Sequence, residues 1–181
     1  MEINNILEGN KCKIINIKSD DNIDDIVGWL NDSVINRFLE ARFFKHSISS
    51  QALYIQNQLR SPRNYYLAII DKETNLRVGT CNIEHDFHNS KAIIGLMIGD
   101  KTAWGKGLGT DAVKLMMKFC CNQLNVKKIS AGVIDGNTAS SKIFLRNGFH
   151  VESILEKESK NLNNVFSDVI RYAYFNENYH C

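Results

Sequence analysis

The stretch that most constrains this chain is Trp104-Gly105-Lys106-Gly107-Leu108-Gly109-Thr110, set between an apolar run and an amphipathic one. Ala92 to Ile98, before it, is almost wholly apolar. The segment after it, to about Leu124, places Leu108, Ala112, Leu115, Met116, Phe119 and Leu124 on one side of a helix. A strand, a turn with three alternating glycines and a helix, in that order, make an arrangement suited to binding a phosphate. Glycine lets the backbone approach a ligand with no Cβ in the way. The helix start adds unpaired N–H groups and the positive end of its dipole, and Lys106 brings a mobile positive charge to the rim. A glycine turn into a helix also occurs with no ligand at all, so the rest of the chain has to decide.

With 181 residues the chain has room for one domain, 1–181, around one sizeable core. Hydrophobic residues make up 44% and charged residues 23%, with a single proline, which excludes a disordered chain or a repeat array. A net charge of +2 without a dense Lys/Arg stripe argues against a nucleic-acid partner. No charged-then-apolar leader and no long apolar span is visible, which predicts no membrane insertion and a cytoplasmic setting. The five cysteines, Cys12, Cys81, Cys120, Cys121 and Cys181, are odd in number and form no C-x-x-C pair, so reduced thiols are expected. Cys12 and Cys81 lie in strand-like runs and Cys120 on an apolar helix face, which reads as packing. His85-x-x-His88 reads as a turn with two exposed histidines, and no metal is expected.

In chain order, Cys12–Ile17 reads as a strand, and Ile23, Ile26, Val27 and Leu30 fall at helical spacing after the capping cluster Asp20-Asp21-Asn22. Ser49 to Leu59 predicts a second helix, stopped before Pro62. Tyr65–Asp71 and Arg77–Glu84 predict a hairpin, and Ala92–Ile98 a central strand whose lack of alternation suggests burial on both faces. Lys128–Ile134 predicts the next strand, and Asn137 the cap of a helix that Gly148 ends. Phe149–Leu155 and Val165–Phe175 predict a closing strand pair. Antiparallel strands, one β-loop-α-β crossover and a final hairpin describe an α+β fold with a mixed, mostly antiparallel sheet flanked by helices.

At this point the sequence resembles the GNAT family of N-acetyltransferases, and within it the branch that includes the ribosomal-protein alanine acetyltransferases. The likeness runs from the first strand to Tyr174 and is strongest over Gly95–Phe149. The family's Gln/Arg-x-x-Gly-x-Gly/Ala loop is matched by Gly107-x-Gly109, with Trp104 in the first position. The Asn-x-x-Ser opening of the following helix is matched by Asn137 and Ser140, and Asn147-Gly148-Phe149 closes it. The resemblance implies acetyl-CoA as cosubstrate, with Trp104, Gly105, Lys106, Gly107, Leu108, Gly109 and Thr110 holding the pyrophosphate. It implies a central strand pair that splays to admit the pantetheine arm beside Leu96–Ile98, Asn137 near the arm or thioester, and the N–H of Met97 or Ile98 as an oxyanion-type donor.

Acid and base are less directly given. Where many relatives carry a central-strand glutamate this chain has Ile93, and where many carry a tyrosine it has Phe144. Glu84 is the substitute base, though it also reads as a solvated strand-end charge. Ser140 is the candidate acid, with Ser141 its neighbour, though a helix-start serine also bonds backbone N–H groups. Val34 to His46 mixes cations with aromatics. Arg37 and Arg42, with Lys45, His46, Phe38, Phe43 and Phe44, suit an anionic, ring-bearing small-molecule amine such as a nucleotide-linked amino sugar, or form a core with a solvated face. N-terminal acetylation of a protein is the rival, a polyamine acceptor is disfavoured by the same cations, and a non-catalytic acyl-CoA-binding module stands behind both. The closing strands could pair across a homodimer.

Overall fold

Asn64–Asp71 (strand β3 by its place in the chain) buries Tyr65, Leu67 and Ile69 on one side of its pleat and Tyr66, Ala68 and Ile70 on the other, so both its faces need cover. The computed structural model, which describes residues 1–180, makes it an inner strand of an eight-stranded sheet. Cys181, one of the expected free thiols, lies outside the described residues. The sheet runs Leu7–Glu8 (β1), Cys12–Asn16 (β2), β3, Arg77–Asp86 (β4), Lys91–Ile98 (β5), Lys128–Ile134 (β6), Phe166–Phe175 (β8) and His150–Lys160 (β7). Neighbours are antiparallel except β5 and β6. This is the mixed α+β sheet that the sequence predicts.

Helices cover both faces. Asp24–Asn31 (α1) and Ile48–Arg60 (α3) bury Ile26 and Ile55 against Ile17, Tyr66 and Ile70; between them lie a single turn, Ser33–Asn36 (α2), and a 3₁₀ turn, Glu40–Phe43. On the opposite face Leu108–Asn122 (α4) and Thr138–Arg146 (α5) pack Val113, Met116, Phe119 and Phe144 against Ile14, Leu67, Ile83 and Ile129. Each such side chain, fully buried, contributes about 1.5–3 kcal/mol. That makes α4, with eight buried residues, the most firmly seated helix. No helix among the described residues is long and apolar enough to cross a membrane.

Several boundaries differ from the sequence reading. β7 continues to Lys160 instead of stopping at Leu155, because its polar second half is an edge paired only to β8 and needs no apolar pattern. β5 is not buried on both faces: Ile93 is 40% exposed, since neither α1 nor α3 reaches over that part of the sheet. Past β5 the chain bends, and the N–H groups of Gly99 and Asp100 both bond to the Val78 carbonyl at 2.9 and 3.0 Å. Gly99 lies directly beneath the Trp29 indole of α1, so any Cβ there would overlap the ring. Gly99→Ala is therefore expected to cost about 1–3 kcal/mol through overpacking, read as a lower urea midpoint at unchanged m-value.

Candidate active site

The parallel pairing of β5 with β6 holds for only three positions, Lys91 with Lys128, Ala92 with Ile129 and Ile93 with Ser130. Beyond them β5 stays with β4 as far as Ile98, and β6 stays with β8 as far as Ile134. The two strands part, and a notch opens between Ile94–Ile98 and Ala131–Ile134.

Ladder alternation decides which backbone groups face that notch. In an antiparallel pair, opposed residues alternate between exchanging hydrogen bonds and pointing outward. The bond from Gly99 to Val78 makes that a bonded pair, so Met97, Gly95 and Ile93 also bond to β4. Leu96 and Ile98 then turn their N–H and C=O toward β6, the same side on which the Ser90 carbonyl accepts the Lys127 N–H at 2.6 Å. Of the two strand donors weighed from the sequence, Ile98 faces the notch and Met97 faces β4. The Ile98 carbonyl is already engaged, by the Trp104 indole Nε1–H at 2.8 Å.

The glycine loop crosses the open end of the notch. Gly105 and Gly107 both hold left-handed backbone angles, φ +75° and +86°, that a side chain would resist. Gly107 is the N-cap of α4 and no side chain caps that helix, so the N–H groups of Leu108, Gly109 and Thr110 have no partner in its first turn. A Cβ on Gly109 would come within 2.8 Å of Ile143 on α5 and 3.5 Å of Leu96 on β5; the helix start thus sits against both walls.

The first strands back this loop, a link that sequence reasoning missed. The Asp111 carboxylate accepts the N–H of Lys11 at 2.7 Å and of Cys12 at 3.0 Å. Burial opposes its charge, but these N–H groups outweigh burial and hold its carboxyl below the ordinary value. The clamp lays Lys11 beside Gly107, with its ammonium on the Lys106 carbonyl, so two lysines flank the helix start. The Gly9-Asn10 turn signal is visible in the sequence, but its docking on Asp111 is not. Burial first, and Asp111 second, push the Cys12 thiol up to about 12. Burial likewise pushes the thiols of Cys81 and Cys120 up, which leaves all three as protonated packing groups.

Asn137 caps α5, its Oδ1 accepting the Ser140 N–H at 3.3 Å. Capping is thus done by Asn137, and the Ser140 hydroxyl, half-buried, makes no hydrogen bond to a described residue. Glu84 lies on the α1/α3 face of β4, opposite Ile93, level with the closed end of the notch. Its side chain is half exposed and 3.8 Å from Arg63.

The Val34–His46 segment reaches this region. Lys101 beside the glycine loop pairs with Asp32 at 2.6 Å. Phe38 comes within 3.9 Å of the position a Cβ would take at Gly136, next to Asn137. Arg37 is exposed, stacked on Phe38 at 4.8 Å. Arg42 behaves otherwise: it is buried, and its guanidinium bonds to Leu39, Glu40, Ser159 and Lys160. His46 is tied to Asn31 and to the Ala41 carbonyl. No group of three or more His, Cys, Asp or Glu gathers as a metal site among the described residues.

The profile of the acetyltransferase (GNAT) domain family matches residues 14–150. A relative from Bacillus subtilis (strain 168), the probable N-acetyltransferase YjcK, is 30% identical over 115 residues, which cover 62% of this chain and 62% of that protein. The match therefore spans less than two thirds of the relative's length. The solved ribosomal L7/L12 alpha-N-protein acetyltransferase in complex with coenzyme A superposes at a TM-score of 0.81, with 15% identity over 94% of this chain and 98% of that one. A chimera of the spermidine N-acetyltransferase from Vibrio cholerae gives the same TM-score, 0.81, at 15% identity, covering 94% and 98%. At that identity the two structures speak to the fold alone, and neither singles out a branch.

Asp111→Asn gives a check on the clamp behind the glycine loop. A depressed carboxyl value stabilises the fold above its unfolded value of about 4 and stops doing so as pH falls through the folded value. The variant is expected to melt below the native protein at pH 7, with the gap closing as pH is lowered below about 4. A gap that is constant with pH in calorimetric scans would contradict the ionised clamp.

Proposed function

The chain belongs to the GNAT acetyltransferase domain family, and on that premise we propose that it moves the acetyl group of acetyl-CoA onto a primary amine by direct attack in a ternary complex. The observation that carries this reading is the alignment of an open strand edge, Leu96 to Ile98, with the uncapped start of α4 beyond it. A pantetheine arm is an extended chain bearing amides. The N–H and C=O of Leu96 and the N–H of Ile98 are the groups that would receive it as an added strand. The N–H groups of Leu108, Gly109 and Thr110, with Lys106 and Lys11 at the rim, suit the pyrophosphate. Trp104 would close the arm's path where its indole covers the Ile98 carbonyl, and Asn137 offers its unbonded amide nitrogen from the opposite wall.

In this reading the Ile98 N–H polarises the thioester oxygen, and Met97 steadies β5 by its bonds to β4. The amine nitrogen bonds to the carbonyl carbon as the C–S bond breaks. The Ser140 hydroxyl gives its hydrogen bond, or its proton, to the leaving sulfur, and Glu84 takes the ammonium proton through water. Holding amine and thioester in line supplies much of the acceleration.

The acceptor we propose is an anionic, ring-bearing small amine such as a nucleotide-linked amino sugar. Exposed Arg37 beside Phe38, close to the Gly136–Asn137 turn, supports it. N-terminal acetylation of a protein is the second reading. It is favoured by the apolar side chains exposed at the far end of the closing hairpin and near Arg42: Phe44, Leu162, Val165 and Phe166. The proposed setting is the cytoplasm, supported by free thiols at Cys12, Cys81, Cys120 and Cys121.

The test is mass spectrometry of the protein with acetyl-CoA and a mixed panel of amino-sugar nucleotides, ribosomal-protein N-terminal peptides, polyamines and amino acids. Acetylation of the amino-sugar nucleotides is the expected result; acetylation of the peptides instead would move the assignment to the second reading. Cofactor binding with no product from any amine would favour a non-catalytic acyl-CoA-binding module. Ser140→Ala is expected to lower kcat about 100-fold while acetyl-CoA affinity holds. An unchanged kcat would remove Ser140 from the chemistry.

A further inference from the structure

Arg42 is in an unusual position for a cation. Its side chain is 3% exposed, and the one carboxylate that pairs with it among the described residues, Glu40 at 3.3 Å, is itself 75% exposed. Nη1 also donates to the Leu39 carbonyl at 2.6 Å. Nη2 donates to Ser159 Oγ at 2.9 Å and to the Lys160 carbonyl at 2.6 Å. Nε is buried with no hydrogen-bond partner among the described residues, and the guanidinium lies 4.3 Å from the centre of the Phe43 ring. Taking a guanidinium out of water is costly, and a single solvated carboxylate with neutral oxygens returns only part of that cost. What the group does is join two pieces of chain 117 and 118 positions apart.

One piece is the segment that carries Arg37 and Phe38 to the Gly136–Asn137 turn. The other is the end of β7, where the ladder to β8 is irregular: register shifts between Leu155 and Ser159, and Lys157 holds φ at 52°. β7 has no further strand beside it. This end is held to β8 by the last pairs, Ser159 with Ser167 and Lys160 with Phe166, by the Lys157 N–H on Asp168 Oδ1 at 2.8 Å and by the Asn161 N–H on the Val165 carbonyl at 2.9 Å, and to the Glu40–Phe43 turn by Arg42.

We propose that Arg42 is a positioning residue: its planar fork locks the Arg37–His46 wall onto the end of β7 and so sets affinity for the amine acceptor while touching neither substrate. The inference rests on the acceptor reading above. A lysine ammonium keeps the charge but lacks the fork that meets Leu39, Ser159 and Lys160 together.

The experiment uses the full chain loaded with acetyl-CoA, as Arg42→Lys, Arg42→Met and Ser159→Ala. Hydrogen exchange read by mass spectrometry is expected to rise at least about fivefold in both 37–46 and 157–167 for the two Arg42 variants, with 105–122 unchanged. With a nucleoside-diphosphate amino sugar as acceptor probe, acceptor KM is expected to rise about tenfold, with kcat and acetyl-CoA affinity within about twofold. Lysine is expected not to rescue, and Ser159→Ala, which keeps the fold if Arg42→Met does not, to move the same readouts less. Full rescue by lysine, uniform exchange across the chain, or a fall in melting temperature at unchanged KM would overturn the proposal. If the native protein binds acetyl-CoA but does not acetylate the probe, the acceptor reading fails, and the exchange pattern alone then upholds or overturns the lock.

Discussion

Everything at the centre of this molecule depends on a parallel strand pairing that stops after three residues. β5 is committed to β4 through Ile98, and β6 to β8 through Ile134, so neither can follow the other once they diverge. Backbone N–H and C=O groups inside a protein require partners. The Leu96 groups and the Ile98 N–H find none on β6, and Trp104 takes only the Ile98 carbonyl. The sheet therefore holds a strand-shaped set of donors and acceptors between two well-packed halves.

Two different kinds of support surround that gap. On one face α4 and α5 are seated by large apolar side chains, and the first turn of α4, at Gly109, meets Ile143 in the second turn of α5. On the other face α1 and α3 also rest on apolar side chains, but the chain between them is tied down by polar contacts: Lys101 with Asp32, His46 with Asn31, and Arg42 with the end of β7. The first face is a rigid floor that ends in the uncapped start of α4. The second is a wall in which the chain between the helices is tied down by a handful of hydrogen bonds.

Much of the floor was legible in the sequence. β6 runs from Lys128 to Ile134 as its apolar pattern predicts, Gly148 takes the left-handed φ of a helix cap, and the loop glycines 105 and 107 take positive φ. These features are local: periodicity and the conformational demands of single residues write them directly. The wall was not legible. Arg42 reads as a free cation in the sequence because nothing local marks Ser159 as its partner more than a hundred positions away. Ile93 reads as buried because an apolar run does not say where its covering helix ends. β1 and the Lys11–Asp111 contact were missed for the same reason, since two residues and a turn carry too little pattern to reveal what they dock against.

That last contact has a bearing on how the chain comes together. The backing of the glycine loop is supplied by residues 99 and 100 positions earlier, at the opposite end of the sheet from β6. Closing a stretch of that length costs chain entropy that the docked contacts have to offset. A molecule bound at the start of α4 consequently draws on the assembled sheet and not on one helix. By mass action its binding energy is returned to the whole fold, about 2.7 kcal/mol at a hundredfold excess over Kd.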